Sequence, residues 1–273
     1  MSVTDSIRDR VRSDSDPNDG AGSGLKLATV LTYLFLYGPI LVVVLMSFDA
    51  GRYGLRWDFT TEWYASLATR SDLIDSLWLS IQIGIVVMII STVLAVVAAF
   101  GLSRFDWPKR KGPIATYLIF VPLTLPIIIY GIGLFVFFTQ LGIGRGFLPI
   151  VVGHVLYTLP FATLVVGAGV IDLDRTLEEA AMDLGADPLT TFREVTLPAL
   201  MPNILAAALF SFTLSFDEFL ISFFVSGGGA VPLPVRIWGM VRADIEPEVY
   251  AISVVVLLIS IAIAAMATRL RRF

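Results

Sequence analysis

Six long stretches of this chain contain no Asp, Glu, Lys or Arg: Leu27 to Phe48, Ser76 to Ser103, Pro113 to Gly144, Gly146 to Ile171, Val195 to Phe216 and Val249 to Thr268. A helix needs about 20 apolar residues to cross a hydrocarbon core of roughly 30 Å, and every stretch meets that length. The third is the longest, enough for a span plus a short turn at Gly142 to Gly144, and the fifth runs on past Asp217 and Glu218 towards Val225. Composition agrees. Hydrophobic residues make up 56% of the chain and charged ones 15%, with a mean hydropathy of +0.83, where a soluble domain carries about 25% charged residues. The expectation is an all-α integral membrane protein with six transmembrane helices.

Residues 1–24 differ from the rest: five Asp, three Arg and several Ser and Gly, with few large apolar side chains. Such a segment buries too little surface to order itself and reads as a disordered acidic cytoplasmic tail. Leu27 to Phe48 is longer than a secretory apolar region and has no small-residue cleavage site, so it reads as a retained first span. Orientation follows from Lys and Arg. With the N-terminus inside, the inner segments hold 13 of these residues and the outer loops 6. The tight cluster Arg104, Lys109, Arg110 and Lys111, in a short loop, decides the direction. Both termini are expected in the cytoplasm.

Cysteine is absent and His154 is the single histidine, which excludes disulfides, thiolate sites and histidine-cluster metal sites. No Gly-Lys pair occurs, so the chain has no phosphate-binding P-loop and any ATP is bound by another polypeptide. With a net charge of −4 and no basic block, nothing points to nucleic acid.

The inner loop 172–197 is the most informative segment. Leu177, Ala180, Ala181 and Leu184 recur at the spacing of one helical face. Gly185 suits the left-handed position that ends a helix. Asp187-Pro188 marks a second start, with Asp as N-cap and Pro in the first turn. Leu197-Pro198 is expected to begin the fifth span. Two short helices meeting at a glycine elbow follow, with small alanines that let another backbone approach. The spacing of Glu179-Ala180-Ala181, Gly185, Val195 and Leu197-Pro198 resembles the EAA loop of type I ABC-importer permeases, with Val195 where that family usually has Ile. The resemblance implies that the loop forms coupling helices that dock on an ATP-hydrolysing subunit. Glu179 also has a local reading, as the partner of Thr176 in a capping box. The segments Ser215 to Phe224, Leu233 to Arg242, Pro247-Glu248 and Trp63-Tyr64 resemble the spermidine/putrescine branch of these permeases.

Inside the apolar stretches, Asp217 and Glu218 stand out, because a carboxylate in the bilayer faces a cavity or a partner. They are candidates for a substrate pathway suited to a cation, or for a structural bond. Pro122, Pro126, Gly131 and Gly133 in the third span and Pro160 in the fourth suggest kinks, or close helix packing. His154 reads as a buried imidazole bonded to a neighbour. Trp57, Trp63 and Trp78 are expected at the outer interface.

The resulting plan is a tail at 1–24, a first span at 25–48, an extracytoplasmic loop at 49–75, a core at 76–268 and a basic cytoplasmic end at 269–273. The resemblance implies the MetI-like fold of a type I importer permease in a prokaryotic cell membrane. It also implies a second permease subunit, two ATPase subunits and an extracytoplasmic solute-binding protein as partners, with no cofactor of its own. Iron, thiamine and phosphonate permeases share parts of these motifs. A rival class is an ion-coupled secondary transporter or channel using Asp217 and Glu218, which leaves the 172–197 loop without a purpose. An intramembrane enzyme finds no nucleophile–base pair here.

Overall fold

The computed structural model describes residues 21–51, 56–104, 107–108, 111–243 and 246–270. Among these residues the chain is helical, with only two isolated β-bridges, Asp49 to Phe59 and Gly227 to Ala230. Most of the expected acidic tail and the last three residues lie outside the described part. Residues 21–24 already belong to α1, Ala21–Met46.

Four helices are long and apolar enough to cross a membrane: α1, α3 (Ser71–Arg104), α6 (Phe147–Asp172) and α8 (Pro188–Phe216). Between α1 and α3 lies the short α2, Glu62–Leu67. The third charge-free stretch is broken in two. The helix holding α4 (Lys111–Phe120) and the tight turn Val121–Thr124 meets α5 (Ile127–Gln140) at 105°. The single kinked span expected from Pro113 to Gly144 is therefore corrected to a sharp break. Pro126 cannot donate to the preceding turn, and the residue before a proline is pushed out of the helical region. Leu125 obeys this, extended at φ −89° and ψ 134°. Pro160, in contrast, leaves α6 continuous and is buried in it. The described chain closes with α9 (Leu220–Val225), α10 (Leu233–Ala243) and α11 (Pro247–Leu270), whose apolar part Pro247–Ile263 is too short to count with the four spanning helices, so the sixth expected span is not reached there.

The centre is a bundle of α3, α6 and α8. One layer is built on Ala95, Ala99, Ala162, Val166, Val170, Leu200 and Ala207. Small residues let helices approach closely where lipid offers no hydrophobic drive. Gly84 shows how close: a Cβ there sits 2.8 Å from the Phe212 ring. Ser91 and Thr158 join α3 to α6 through a 2.7 Å hydroxyl contact. A second layer, with Ile83, Val87, Leu134, Ile150 and Ile221, brings α5 and α9 onto the bundle. By contrast α1 packs on α11 and has no buried residue among those described, leaving its apolar side chains to lipid or another subunit.

The segment after α1 is held by one carboxylate that nothing in the sequence singles out. Asp49 is 4% exposed and accepts from the backbone N–H of Gly51 (2.7 Å), Arg56 (3.0 Å) and Trp57 (2.6 Å). Trp57 takes a left-handed φ of 61°, and its ring is exposed, as is that of Trp78. Trp63 instead turns inward and donates from Nε1 to the Asp49 carbonyl at 2.8 Å. The backbone donors, led by Arg56, hold the Asp49 carboxyl below its usual pKa. A depressed carboxyl contributes stability above its unfolded pKa of about 3.9, and that contribution is lost as pH falls through the folded value. Amide hydrogen exchange should accordingly show Gly51, Arg56 and Trp57 protected at neutral pH, exposed in strong acid, and exposed at every pH in Asp49→Ala.

Candidate coupling loop and intramembrane polar site

The loop between the fourth and fifth spans folds as α7, Arg175–Asp183, followed by a turn and the start of α8. Asp174 is the N-cap of α7, accepting from Thr176 N at 2.9 Å. The Thr176–Glu179 capping box is thereby corrected: Thr176 lies inside the first turn, because an Asp two residues earlier already takes its amide. Gly185 has φ +94°, and a Cβ there has no neighbour within 4 Å. The glycine is needed for backbone conformation alone. Asp187 caps the next helix, accepting from Thr190 N at 2.8 Å, with Pro188 in its first turn.

The second helix is not a separate short piece. It passes through a wide π turn, Phe192–Thr196, and continues as Leu197–Phe216. The expected start of the span at Leu197-Pro198 is thus corrected to Pro188. Pro198 removes an N–H that an α-helix needs, and the π turn just before it absorbs the misfit. Glu179, Ala180, Gly185 and Pro198 are exposed, while Ala181, Val195 and Leu197 are half-buried. Leu184, at the tip, is 90% exposed.

The second site lies where α8 ends. The helix stops at Phe216, so the span expected to continue through Asp217 and Glu218 is corrected to a break between α8 and α9. The two acids separate sharply. Glu218 is buried and accepts from Ile221 N (2.9 Å) and Ser222 N (3.0 Å), satisfying the free amides at the start of α9. Its other neighbour is His154, with Nε2 at 3.3 Å. The same imidazole meets Ser215 Oγ through Nδ1 at 2.8 Å and Ser222 Oγ through Nε2 at 2.9 Å. His154 therefore pins both sides of the break to α6. Asp217 is exposed and lines a cavity of about 340 Å³ with Ile127, Tyr157, Thr213 and Phe219, and the buried Glu218 borders the same cavity. Gly131 serves packing, since a Cβ there lies 2.8 Å from the Phe224 ring, while Gly133 faces open space.

Residues 91–273 match the family described as the binding-protein-dependent transport system inner membrane component. The chain belongs to that family. This permease is 34% identical over 230 residues to the spermidine/putrescine transport system permease protein PotC of Escherichia coli (strain K12), covering 84% of this chain and 86% of that one. It is 36% identical over 235 residues to the putrescine transport system permease protein PotI of the same strain, covering 84% and 83%. Its fold is similar to that in the crystal structure of a bacterial ABC transporter involved in the import of the acidic polysaccharide alginate. The TM-score there is 0.74 at 16% identity, over 96% of this chain and 98% of that one. The permease is an all-helical, multi-pass membrane subunit of an ABC importer.

In the sequence of the permease, Asp217 and Glu218 stand as equals. Side-chain burial distinguishes them, and no local signal reveals it, because Glu is an uncommon helix cap and its partner His154 comes from a different span. Leaving a buried amide without its acceptor costs about 1–3 kcal/mol, and Glu218 serves two. Glu218→Ala should lower the thermal stability of the detergent-purified permease by at least about that much, while Asp217→Asn leaves it unchanged. Equal melting curves for all three proteins contradict the assignment.

Proposed function

We propose that this permease passes a small organic cation of the polyamine class, spermidine or putrescine, and that Asp217 is the carboxylate the cation meets inside the membrane. The observation that carries the reading is Asp217 itself: an exposed acid at a break in a span, in a cavity beside the Tyr157 ring. An ionisable group at that depth marks a pathway when it faces a cavity. Aromatic faces also favour cations. The names of the two bacterial relatives support the same solute class. Glu218 belongs to the frame of the site, since its oxygens are already engaged.

In this reading both termini are cytoplasmic and the loop 172–197 docks on ATPase subunits through Glu179, Ala180, Ala181 and Gly185. Val195, Leu197 and Pro198 join it to the fifth span. A second permease subunit completes the pathway, and an extracytoplasmic binding protein delivers solute to loops 49–75 and 227–248. ATP is bound by the partner, and the permease needs no cofactor. ATP closes the ATPase pair, and the loop carries that closure into the bundle. Each ligand shifts the inward–outward equilibrium only by its differential affinity for the two states.

The test is uptake of radiolabelled spermidine and putrescine by proteoliposomes holding the complete transporter. ATP-dependent uptake is expected, with Asp217→Asn weakening the apparent affinity about tenfold, or ~1.4 kcal/mol. Uptake by the permease alone under a pH gradient contradicts the mechanism. An unchanged Asp217→Asn removes that residue from the path. In the same assay Gly185→Asp and Glu179→Lys should abolish ATP-driven uptake while the permease still inserts in the membrane.

A further inference from the structure

We infer that Glu178, the residue before the Glu179-Ala180-Ala181 triplet, is the positioning residue through which movement of α7 reaches the spans. Its carboxylate ties three elements together. Oε1 accepts from Thr196 Oγ1 at 2.8 Å, and Oε2 lies 3.2 Å from Arg104 Nη2. Thr196 is the last residue of the π turn in α8 and is 1% exposed. Arg104 is the last residue of α3. A second strut runs beside the first, from Arg175 Nη2 to the Ser103 carbonyl at 3.3 Å. The coupling helix is thus fastened to two of the three helices that form the central bundle, at the end of α3 and at the π turn of α8.

The chain leaves the helical conformation at either end of α7. Before it, Leu173 and Asp174 are extended, at ψ 123° and 117°. After it come Gly185 at φ +94° and an extended Asp187 at ψ 163°. At both joints the helical ladder is interrupted, so no continuous helix carries a push from α7 into either span. Glu178 bypasses them. Neighbouring residues on a helix point about 100° apart, so Glu179 faces outward while Glu178 faces the spans. Arg104 makes the contact obligatory. Its Nε and Nη2 are buried and have no well-aligned hydrogen-bond acceptor, leaving the Glu178 carboxylate beside it as the compensating charge. The Thr196 contact also pins the π turn, where the helical ladder of α8 is weakest.

This inference rests on α7 being the element that receives the ATPase, and the experiment separates the two ideas. The chain has no cysteine, so nitroxides at Val97→Cys in α3 and Asp183→Cys in α7 mark the permease at two chosen points. The α3–α7 distance is measured in the complete transporter, free of nucleotide and trapped with ATP and vanadate. With Glu178 present the distance is expected to be the same in both states. In Glu178→Ala, and to a lesser degree in the milder Thr196→Val, it shifts on trapping. Spermidine imported per ATP hydrolysed then falls at least about fivefold, the lower end of a typical coupling, while co-purification with the ATPase is retained. An unchanged distance and an unchanged import ratio in Glu178→Ala overturn the inference. So does loss of co-purification, which makes Glu178 a docking contact instead. If the unsubstituted permease captures no ATPase, the functional reading fails first and the clamp falls with it.

Discussion

Helices surrounded by hydrocarbon gain nothing by hiding leucine from water, so α3, α6 and α8 hold together by close fit and by hydrogen bonds between small residues. Ala95, Ala99, Ala162 and Ala207 form the fitted layer, and Ser91 with Thr158 supplies the polar contact. Everything else hangs on these three helices. The broken third span returns to them through α5, α9 rests on them through Ile221 and Val225, and α7 is fastened to α3 and α8. A permease that must change shape needs such a unit, because packed interiors switch between arrangements and do not bend continuously.

Two breaks in the spans show how backbone polar groups are managed in the same setting. At Leu125-Pro126 the missing donor of proline and the extended residue before it turn the chain by 105°. At Asp217–Phe219 the free amides of α9 are taken by Glu218, and His154 binds the break to α6. Irregular backbone at membrane depth is tolerated where it is buried in protein or lines a cavity. The second break meets both conditions: Glu218 is buried, and both acids border the cavity.

The fold class and the elbow of the 172–197 loop are legible in the sequence because they depend on periodicity and chain chemistry. Charge-free length marks spans, and Asp187-Pro188 and Gly185 do locally what their residue types favour. What escapes the sequence depends on tertiary geometry. A proline announces a lost hydrogen bond but not the angle that follows, so the third span reads as kinked where it is broken at 105°, and Pro160 reads as disruptive where α6 continues. Thr176 and Glu179 have capping-box spacing, yet Asp174 has first access to the amide. Asp49, Glu178 and Glu218 all owe their importance to partners brought near by folding; Glu178 meets Arg104 from a separate helix, with two spans between them in the chain.

The proposed function requires the tip of the 172–197 loop to seat against an ATPase on the cytoplasmic side. Leu184 is the most direct reporter, being 90% exposed beside the Gly185 elbow in a chain without cysteine. A Leu184→Cys permease treated with a short bifunctional cross-linker in membranes should join to the ATPase subunit, and in intact cells it should resist a membrane-impermeant maleimide. Rapid labelling from outside intact cells, with no cross-link to the ATPase, contradicts the account.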